Sequence, residues 1–137
     1  MSVSDLCGAL LMDFEKIGDI AAVRLVGKVT HAEMVQQVKA VFVAAREQGV
    51  RKLMVVTAGL TGFKMGSVAE RYFYINEWVQ AAGGAMIVAI VTRPERIDPQ
   101  RFGTLVAENL GVTSNTFTSE EEAIVWLQNP PRSRNAP

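Results

Sequence analysis

Ser67 is the side chain best placed for chemistry, either binding an anion or accepting a phosphoryl group. It follows Gly66 at the predicted start of a helix. Backbone N–H groups are unpaired at such a position and the helix dipole is positive, so an added negative charge is stabilised locally. The alternative, which the frequency of serine at helix N-termini favours, is that Ser67 only caps the helix.

The residues before this serine complete the candidate site. Lys64, Met65 and Gly66 precede it directly, but their order does not match the nucleotide-binding phosphate loop, which we exclude. Phe63 and Met65 are either loop hydrophobics exposed for a partner or, the more common arrangement, side chains packed beneath the helix as a staple. We predict a working surface formed by loop 59–67 and the helix that follows it.

The sequence offers no recognisable catalytic group. His31 is the only histidine and Cys7 the only cysteine, whereas a general base needs a partner close in space and zinc needs several N or S ligands. We therefore expect no metal, no cofactor and no catalysis. The alternative is chemistry at Arg93, Glu95 and Asp98, which follow a predicted strand at the same sheet edge as the serine, although such charges more often form a solvated loop.

Composition and charge limit the class of protein. Lysine plus arginine equals aspartate plus glutamate, 14 against 14, so no long-range field attracts nucleic acid or an anionic membrane. The longest apolar run, Ala85 to Val91, is too short to span a bilayer, and the N-terminus lacks a signal-peptide pattern. One cysteine allows no intrachain disulfide, which fits a reducing compartment. We expect a soluble, cytoplasmic protein.

Length and pattern predict one domain. A chain of 137 residues, about half of them hydrophobic, is long enough for a single core. We place this domain at residues 1–128. Residues 129–137 lose the apolar periodicity and are rich in proline, so they are predicted to form a disordered tail.

The predicted order of elements is β-β-α-β-α-β-α-β-α, an α/β fold with a mixed five-stranded sheet and about four helices. Strands at about 8–15 and 20–27 have a short connection, typical of an antiparallel hairpin. The continuous apolar runs at 53–56 and 85–91 are typical of parallel strands covered on both faces. A short last strand is predicted at 112–117.

Helix starts follow from capping patterns, and inner faces from apolar spacing. The first helix is predicted to begin at a capping box of Thr30 with Glu33, and the last at one of Thr118 with Glu121. A third helix is predicted from about Asp98 to Leu110. The predicted inner stripes are Met34, Val35, Val38, Val41, Phe42 and Ala45 in the first helix, and Val68, Tyr72, Ile75, Val79 and Ala82 in the second, which spans about 65–82.

Three further aromatic residues of the second helix leave two interpretations open. Phe73, Tyr74 and Trp78 either line a pocket or a dimer surface in part, or simply pack in the ordinary way, which we consider the commoner case. A homodimer therefore remains one option for the oligomeric state.

Several segments carry a resemblance to a known family. They are residues 23–30 entering the first helix, 51–56 as the central strand, Leu60-Thr61 in the loop, and Gly83-Gly84 at the end of the second helix. Over nearly its whole length the chain resembles a STAS domain, more closely the SpoIIAA-like group of anti-sigma-factor antagonists.

The resemblance implies a regulatory, protein-interaction module without catalytic activity. Members of this family switch partners when a serine at the start of the second helix is phosphorylated, and that position corresponds to Gly66-Ser67 here, where no acidic residue precedes the serine. The fold also resembles lipid-carrier domains with an apolar pocket against the sheet. The alternative function is therefore a carrier of a small apolar or anionic, lipid-like ligand.

Overall fold

The computed structural model describes residues 14–64, 66–97, 108 and 111–130, and in this part it shows a five-stranded mixed sheet. β1 pairs with β2 in antiparallel fashion, and β2, β3, β4 and β5 follow one another in parallel order. The predicted fold class and strand directions are confirmed. The strands are β1 (Glu15–Ile17), β2 (Ile20–Lys28), β3 (Lys52–Thr61), β4 (Ile87–Val91) and β5 (Thr113–Phe117).

Three α-helices and one short 3-10 helix lie in the described part of the chain. The α-helices are α1 (His31–Glu47), α2 (Val68–Ala82) and α3 (Glu120–Gln128), and the 3-10 helix is Pro94–Arg96. Within that part, no helix is long and apolar enough to span a bilayer. The additional helix predicted from about 98 to 110, the start of the first predicted strand and most of the predicted tail lie outside the described residues.

The helices cover both faces of the sheet. On one face, α1 and α2 pack over alternate strand residues that include Ala21, Leu53, Val55 and Val88. On the other face, α3 places Ala123 and Leu127 over the intervening residues, which include Ile20, Ala22, Met54 and Ala89. Because successive side chains of a strand point to opposite faces, the continuous apolar runs supply both cores at once.

β3 is longer than predicted, which corrects the start of the working loop. The apolar run ends at Val56, but the strand continues to Thr61 because β2 also continues and pairs with it as far as Lys28. An irregularity in the register near Arg24 accommodates one extra residue of β3. Gly59, Leu60 and Thr61 are therefore strand residues, and the loop itself begins at Gly62.

The predicted inner stripe of α2 is wrong in its first half. Tyr72 and Val68 are exposed, whereas Tyr74 is buried together with Val79 and Ala82. The inward position in the first turns is held by Arg71, which is half-buried. The predicted stripe takes only apolar residues into account. Because the charged Arg71 occupies the buried stripe, the prediction placed the inward position one residue too late, at Tyr72.

The cap of α3 also differs from its prediction. Two overlapping patterns fit the capping motif, and the structure uses the second of them. Ser119 is the N-cap, and its hydroxyl accepts a hydrogen bond from the backbone N–H of Glu122. In α1, by contrast, the predicted capping box of Thr30 with Glu33 is present in both directions, and every residue of the predicted stripe is buried.

Candidate functional site

The loop after β3 lies at the carboxyl edge of the parallel strands, where α/β sheets usually bind ligands. Gly62 opens the loop with a φ of +91°, a conformation that favours glycine. A Cβ atom there would lie 2.8 Å from Cγ of Lys28 and 3.0 Å from the carbonyl oxygen of Val29. The end of β2 therefore passes so close that only glycine fits, and this contact fixes where the loop starts.

Ser67 caps α2 as one half of a capping box. Its hydroxyl accepts from the backbone N–H of Glu70 at 3.2 Å, and the Glu70 carboxylate accepts from the backbone N–H of Ser67 at 3.1 Å. The hydrogen bond from the backbone N–H of Ser67, followed by the interaction of the carboxyl with the Ser67 hydroxyl, lowers the pKa of the Glu70 carboxyl. The capping interpretation thus describes what Ser67 does in this structure, while its modification stays a prediction.

Replacing Ser67 by alanine should destabilise the protein by about 0.5–2 kcal/mol, because the N–H of Glu70 loses its acceptor at the helix terminus. The change is measured as the shift of a urea unfolding curve followed by far-UV circular dichroism. Ser67→Asp is the matched control, since aspartate also caps helices well and should preserve most of the stability. Equal stability of Ser67→Ala and the unaltered protein would show that the cap contributes nothing.

His31 lies against this loop, which the sequence did not reveal. Its Nδ1 is 2.9 Å from the carbonyl oxygen of Lys64 and donates to it in the Nδ1–H tautomer. The ring also packs edge-on against Tyr74, with 5.6 Å between the centroids. Among the hydrogen bonds of the described residues, none joins His31 to Ser67. The histidine therefore braces the loop and does not form a nucleophile–base pair with the serine.

The predicted site residues separate into an outward and an inward group. Lys64 and Ser67 are exposed. Phe63 is half-buried and packs against the core formed with α1 and α2, so the inward arrangement is the one the structure shows for this side chain. Gly66 has a φ of +86° and lies between His31 and Glu70. Met65 lies outside the described residues.

Two arginines donate hydrogen bonds to main-chain carbonyls of β3, in the part of that strand that extends beyond the end of β4. The Nε of Arg93 donates to the carbonyl oxygen of Ala58 at 2.8 Å, and Arg96 donates from Nη1 to Thr57 at 3.0 Å and from Nη2 to Leu60. β4 pairs with β3 only as far as Val56, so these carbonyls have no partner in β4 and the arginines supply the hydrogen bonds instead.

The three charges predicted as an alternative reactive cluster do not act together in the described residues. Arg93 is committed to a carbonyl oxygen of β3, as stated above, and Glu95 is exposed. Asp98 lies outside the described residues. Nor does the described part of the chain hold any group of three or more His, Cys, Asp or Glu side chains suited to a metal ion.

A cavity of about 160 Å³ lies between α2 and the half of the sheet formed by β4 and β5. Apart from Arg71 in the first turns of α2, its helix side is apolar and aromatic, and its sheet side carries hydroxyl groups beside apolar residues. Burial raises the pKa of the Tyr74 hydroxyl to about 12, so this lining group is neutral at physiological pH. The lining includes Tyr74, Ile75 and Trp78 on α2, and Thr92, Ser114 and Thr116 on the sheet side.

The sequence identified only the aromatic part of this cavity. For Tyr74 and Trp78 the sequence leaves a pocket, a dimer surface and ordinary packing open, and both residues line the cavity. The hydroxyl side chains of β5 gave no such signal, because serine and threonine in a short terminal strand are most simply interpreted as facing solvent. Only the pairing of Val88 with Ser114 and of Ile90 with Thr116 brings them beneath α2.

Comparisons with known proteins give one structural likeness. No protein-family model matches the chain, and no curated protein matches it. Among solved structures, the chain is similar to the anti-sigma factor antagonist SpoIIAA in its unphosphorylated form, at 20% sequence identity and a TM-score of 0.44. The match covers 85% of this chain and 96% of that one. SpoIIAA gives its name to the group that the sequence resembles.

Proposed function

We propose that the protein is a non-catalytic regulatory module that binds a partner protein through the start of α2 and the loop before it. The observation that carries this proposal is a group of exposed apolar side chains at that place: Val68 is 59% exposed, Tyr72 46% and Phe73 69%. Among the described residues, five large hydrophobic side chains are exposed, and three of them lie between positions 68 and 73. Such clustering marks interaction surfaces.

The residues around this surface support a docking role because their contacts order it in the unbound protein. The capping box of Ser67 and Glu70 fixes the first turn of α2, and the contact of His31 with the carbonyl of Lys64 fixes the loop. A surface that is already ordered loses less conformational freedom on binding, so more of the contact energy appears as affinity.

Ser67 offers a means of regulating this surface, in line with the family resemblance. Its side chain is exposed next to the apolar group. A phosphoryl group would add about −1.5 to −2 charges at pH 7 where the helix terminus favours an anion but the Glu70 carboxylate opposes it. The capping box would have to rearrange, and the first turn of α2 with it.

A photo-crosslinking experiment tests the proposed surface. A photo-reactive phenylalanine derivative is placed at Phe73 or, as a control of similar exposure on the opposite side of the sheet, at Val125, which is 61% exposed. In the cells that make the protein, we expect position 73 to yield one discrete cross-linked protein that position 125 does not. The same pattern from both positions, or no protein from position 73, would refute this surface.

A test of regulation follows from the same cross-link. Replacing Ser67 by glutamate adds a charge at the proposed modification site, whereas Ser67→Asn keeps a capping oxygen without charge. We expect the glutamate variant to lose most of the cross-link at position 73 and the asparagine variant to keep it. If both variants retain the cross-link, Ser67 is not the regulatory site, although the docking surface stands.

The cavity beneath α2 favours a second candidate function, the carriage of a small ligand. Its mixed lining of aromatic rings and hydroxyl groups is typical of a binding site, in which apolar walls supply affinity and a few polar groups fix orientation. Its volume of about 160 Å³ suits only a small ligand.

A further inference from the structure

The cavity is chemically different at its two ends. Trp78 and Val79 lie towards the end of α2, and the cavity there is lined by further apolar side chains of α1 and the sheet, among them Phe42 and Val88. At the carboxyl edge of the sheet it is lined by Arg71 and Arg96. A ligand that suits the whole space therefore has an apolar body and a group at one end that a guanidinium recognises.

Arg96 provides a positive charge in a partly desolvated setting. Burial, followed by the nearby charge of Arg93, lowers the pKa of the Arg96 guanidinium, while Glu95 acts in the opposite sense. An arginine remains protonated in proteins all the same, so the positive charge is retained close to another one. An anion bound here would relieve that repulsion.

Within the described residues, the contacts of Arg96 leave N–H donors available for a ligand. Among the described residues its guanidinium donates from Nη1 and Nη2 to two carbonyl oxygens of β3, and the group carries five N–H donors in all. The Cζ atom lies 4.6 Å from the centroid of the Phe63 ring. The carbonyls and the ring thus hold the guanidinium in one orientation at the cavity.

We propose that this cavity binds a small carboxylate whose apolar body is about the size of a benzene ring, with the carboxylate at the Arg96 end. The inference rests on the second candidate function, the carriage of a small ligand. A volume of about 160 Å³ is close to the ~150 Å³ of an engineered apolar cavity that admits benzene. The planar carboxylate matches the fork of a guanidinium and forms charge-assisted hydrogen bonds with it.

The probe pair that tests the proposal is 3-phenylpropionate and its uncharged analogue 3-phenylpropan-1-ol. Binding is measured by isothermal titration calorimetry and by ¹H–¹⁵N NMR shifts on the full chain. We expect the carboxylate to bind roughly tenfold more tightly than the alcohol, because hydrogen bonds to a charged acceptor are the stronger ones. The shifts should centre on the residues that line the cavity.

Variants locate the anion within the cavity. In Arg96→Gln the affinity for the carboxylate should fall to that for the alcohol, while the affinity for the alcohol stays the same. Arg51→Gln is the matched control, since Arg51 is exposed at the opposite end of β3, and it should change neither affinity. Ser114→Leu places a larger side chain in the cavity and should abolish the binding of both probes.

The results of the probe titrations distinguish the carboxylate site from the carrier function on which it rests. Binding of neither probe overturns both the carboxylate site and the carrier function. Equal binding of the two probes overturns the carboxylate site alone. Because Arg96 also supports β3, each variant is checked by circular dichroism. If Arg96→Gln fails to fold, the two probes are compared on the unaltered protein and on Ser114→Leu. Equal affinity of the two probes for the unaltered protein, or undiminished binding to Ser114→Leu, overturns the proposal.

Discussion

Replacing Leu60 by alanine is expected to lower the free energy of unfolding by about 2–5 kcal/mol, the range found for buried leucines. Leu60 has no exposed surface and packs in the core beneath α1 and α2. It lies in the part of β3 that projects beyond β4, immediately before Gly62 and the loop. Truncation removes buried apolar contacts and leaves a void at the place from which the loop starts.

The measurement is a guanidinium chloride unfolding curve followed by far-UV circular dichroism. Val26→Ala is the matched control, because Val26 lies on the neighbouring strand beside Gly59 but is 81% exposed. We expect the control to change stability by no more than ~0.5 kcal/mol. A loss below ~1 kcal/mol for Leu60→Ala would mean that the projecting end of β3 is not part of the cooperative core.

Replacing Trp78 by alanine should cost about 3 kcal/mol, the lower end of the range for large aromatic residues in a core, because Trp78 is only partly buried. Trp78 joins the two helices on one face of the sheet. Its ring lies 4.7 Å from that of Tyr74 on α2 and 6.2 Å from that of Phe42 on α1, and its Nε1 donates to the carbonyl oxygen of Val35 at 3.1 Å. The substitution removes both the packing and this hydrogen bond.

Trp78→Phe separates the two contributions. Phenylalanine keeps an aromatic ring between α1 and α2 but lacks the indole N–H, so a loss of about 0.5–1.5 kcal/mol from the hydrogen bond is expected, together with a smaller packing loss. Far-UV circular dichroism gives the unfolding curves, since tryptophan fluorescence changes with the substitution itself. Equal losses for the alanine and phenylalanine variants would show that the hydrogen bond, and not the packing, joins the helices.

The features predicted correctly are those whose physical cause is local. The capping box of Thr30 with Glu33 depends on groups three residues apart, and the stripe of α1 repeats with the helical period. The continuous apolar runs predicted parallel strands covered on both faces, and the structure shows them as β3 and β4. For the candidate site, the sequence placed Ser67 near the start of the second helix, but it predicted that helix from about 65, whereas α2 begins at Val68 with Ser67 as its cap.

The features that sequence reasoning missed depend on contacts between distant segments. The length of β3 was set by pairing with β2, and the exposure of Tyr72 by the inward place of Arg71. The partners of Arg93 and Arg96 are main-chain carbonyls 35 to 39 residues away. Since every residue has such a carbonyl, side-chain identity gives no signal for these contacts.

The sequence by itself determined the α/β class, the strand directions and a helix start close to Ser67, because hydrophobic period and helix caps act over a few neighbouring residues. The tertiary structure alone decided that His31 braces the Lys64 loop, that Phe63 turns inward, and that the hydroxyls of β5 face a cavity beneath α2. These arrangements depend on contacts between segments that are distant in the chain and meet at one edge and one face of the sheet. No pattern among neighbouring residues predicts which distant segments will meet.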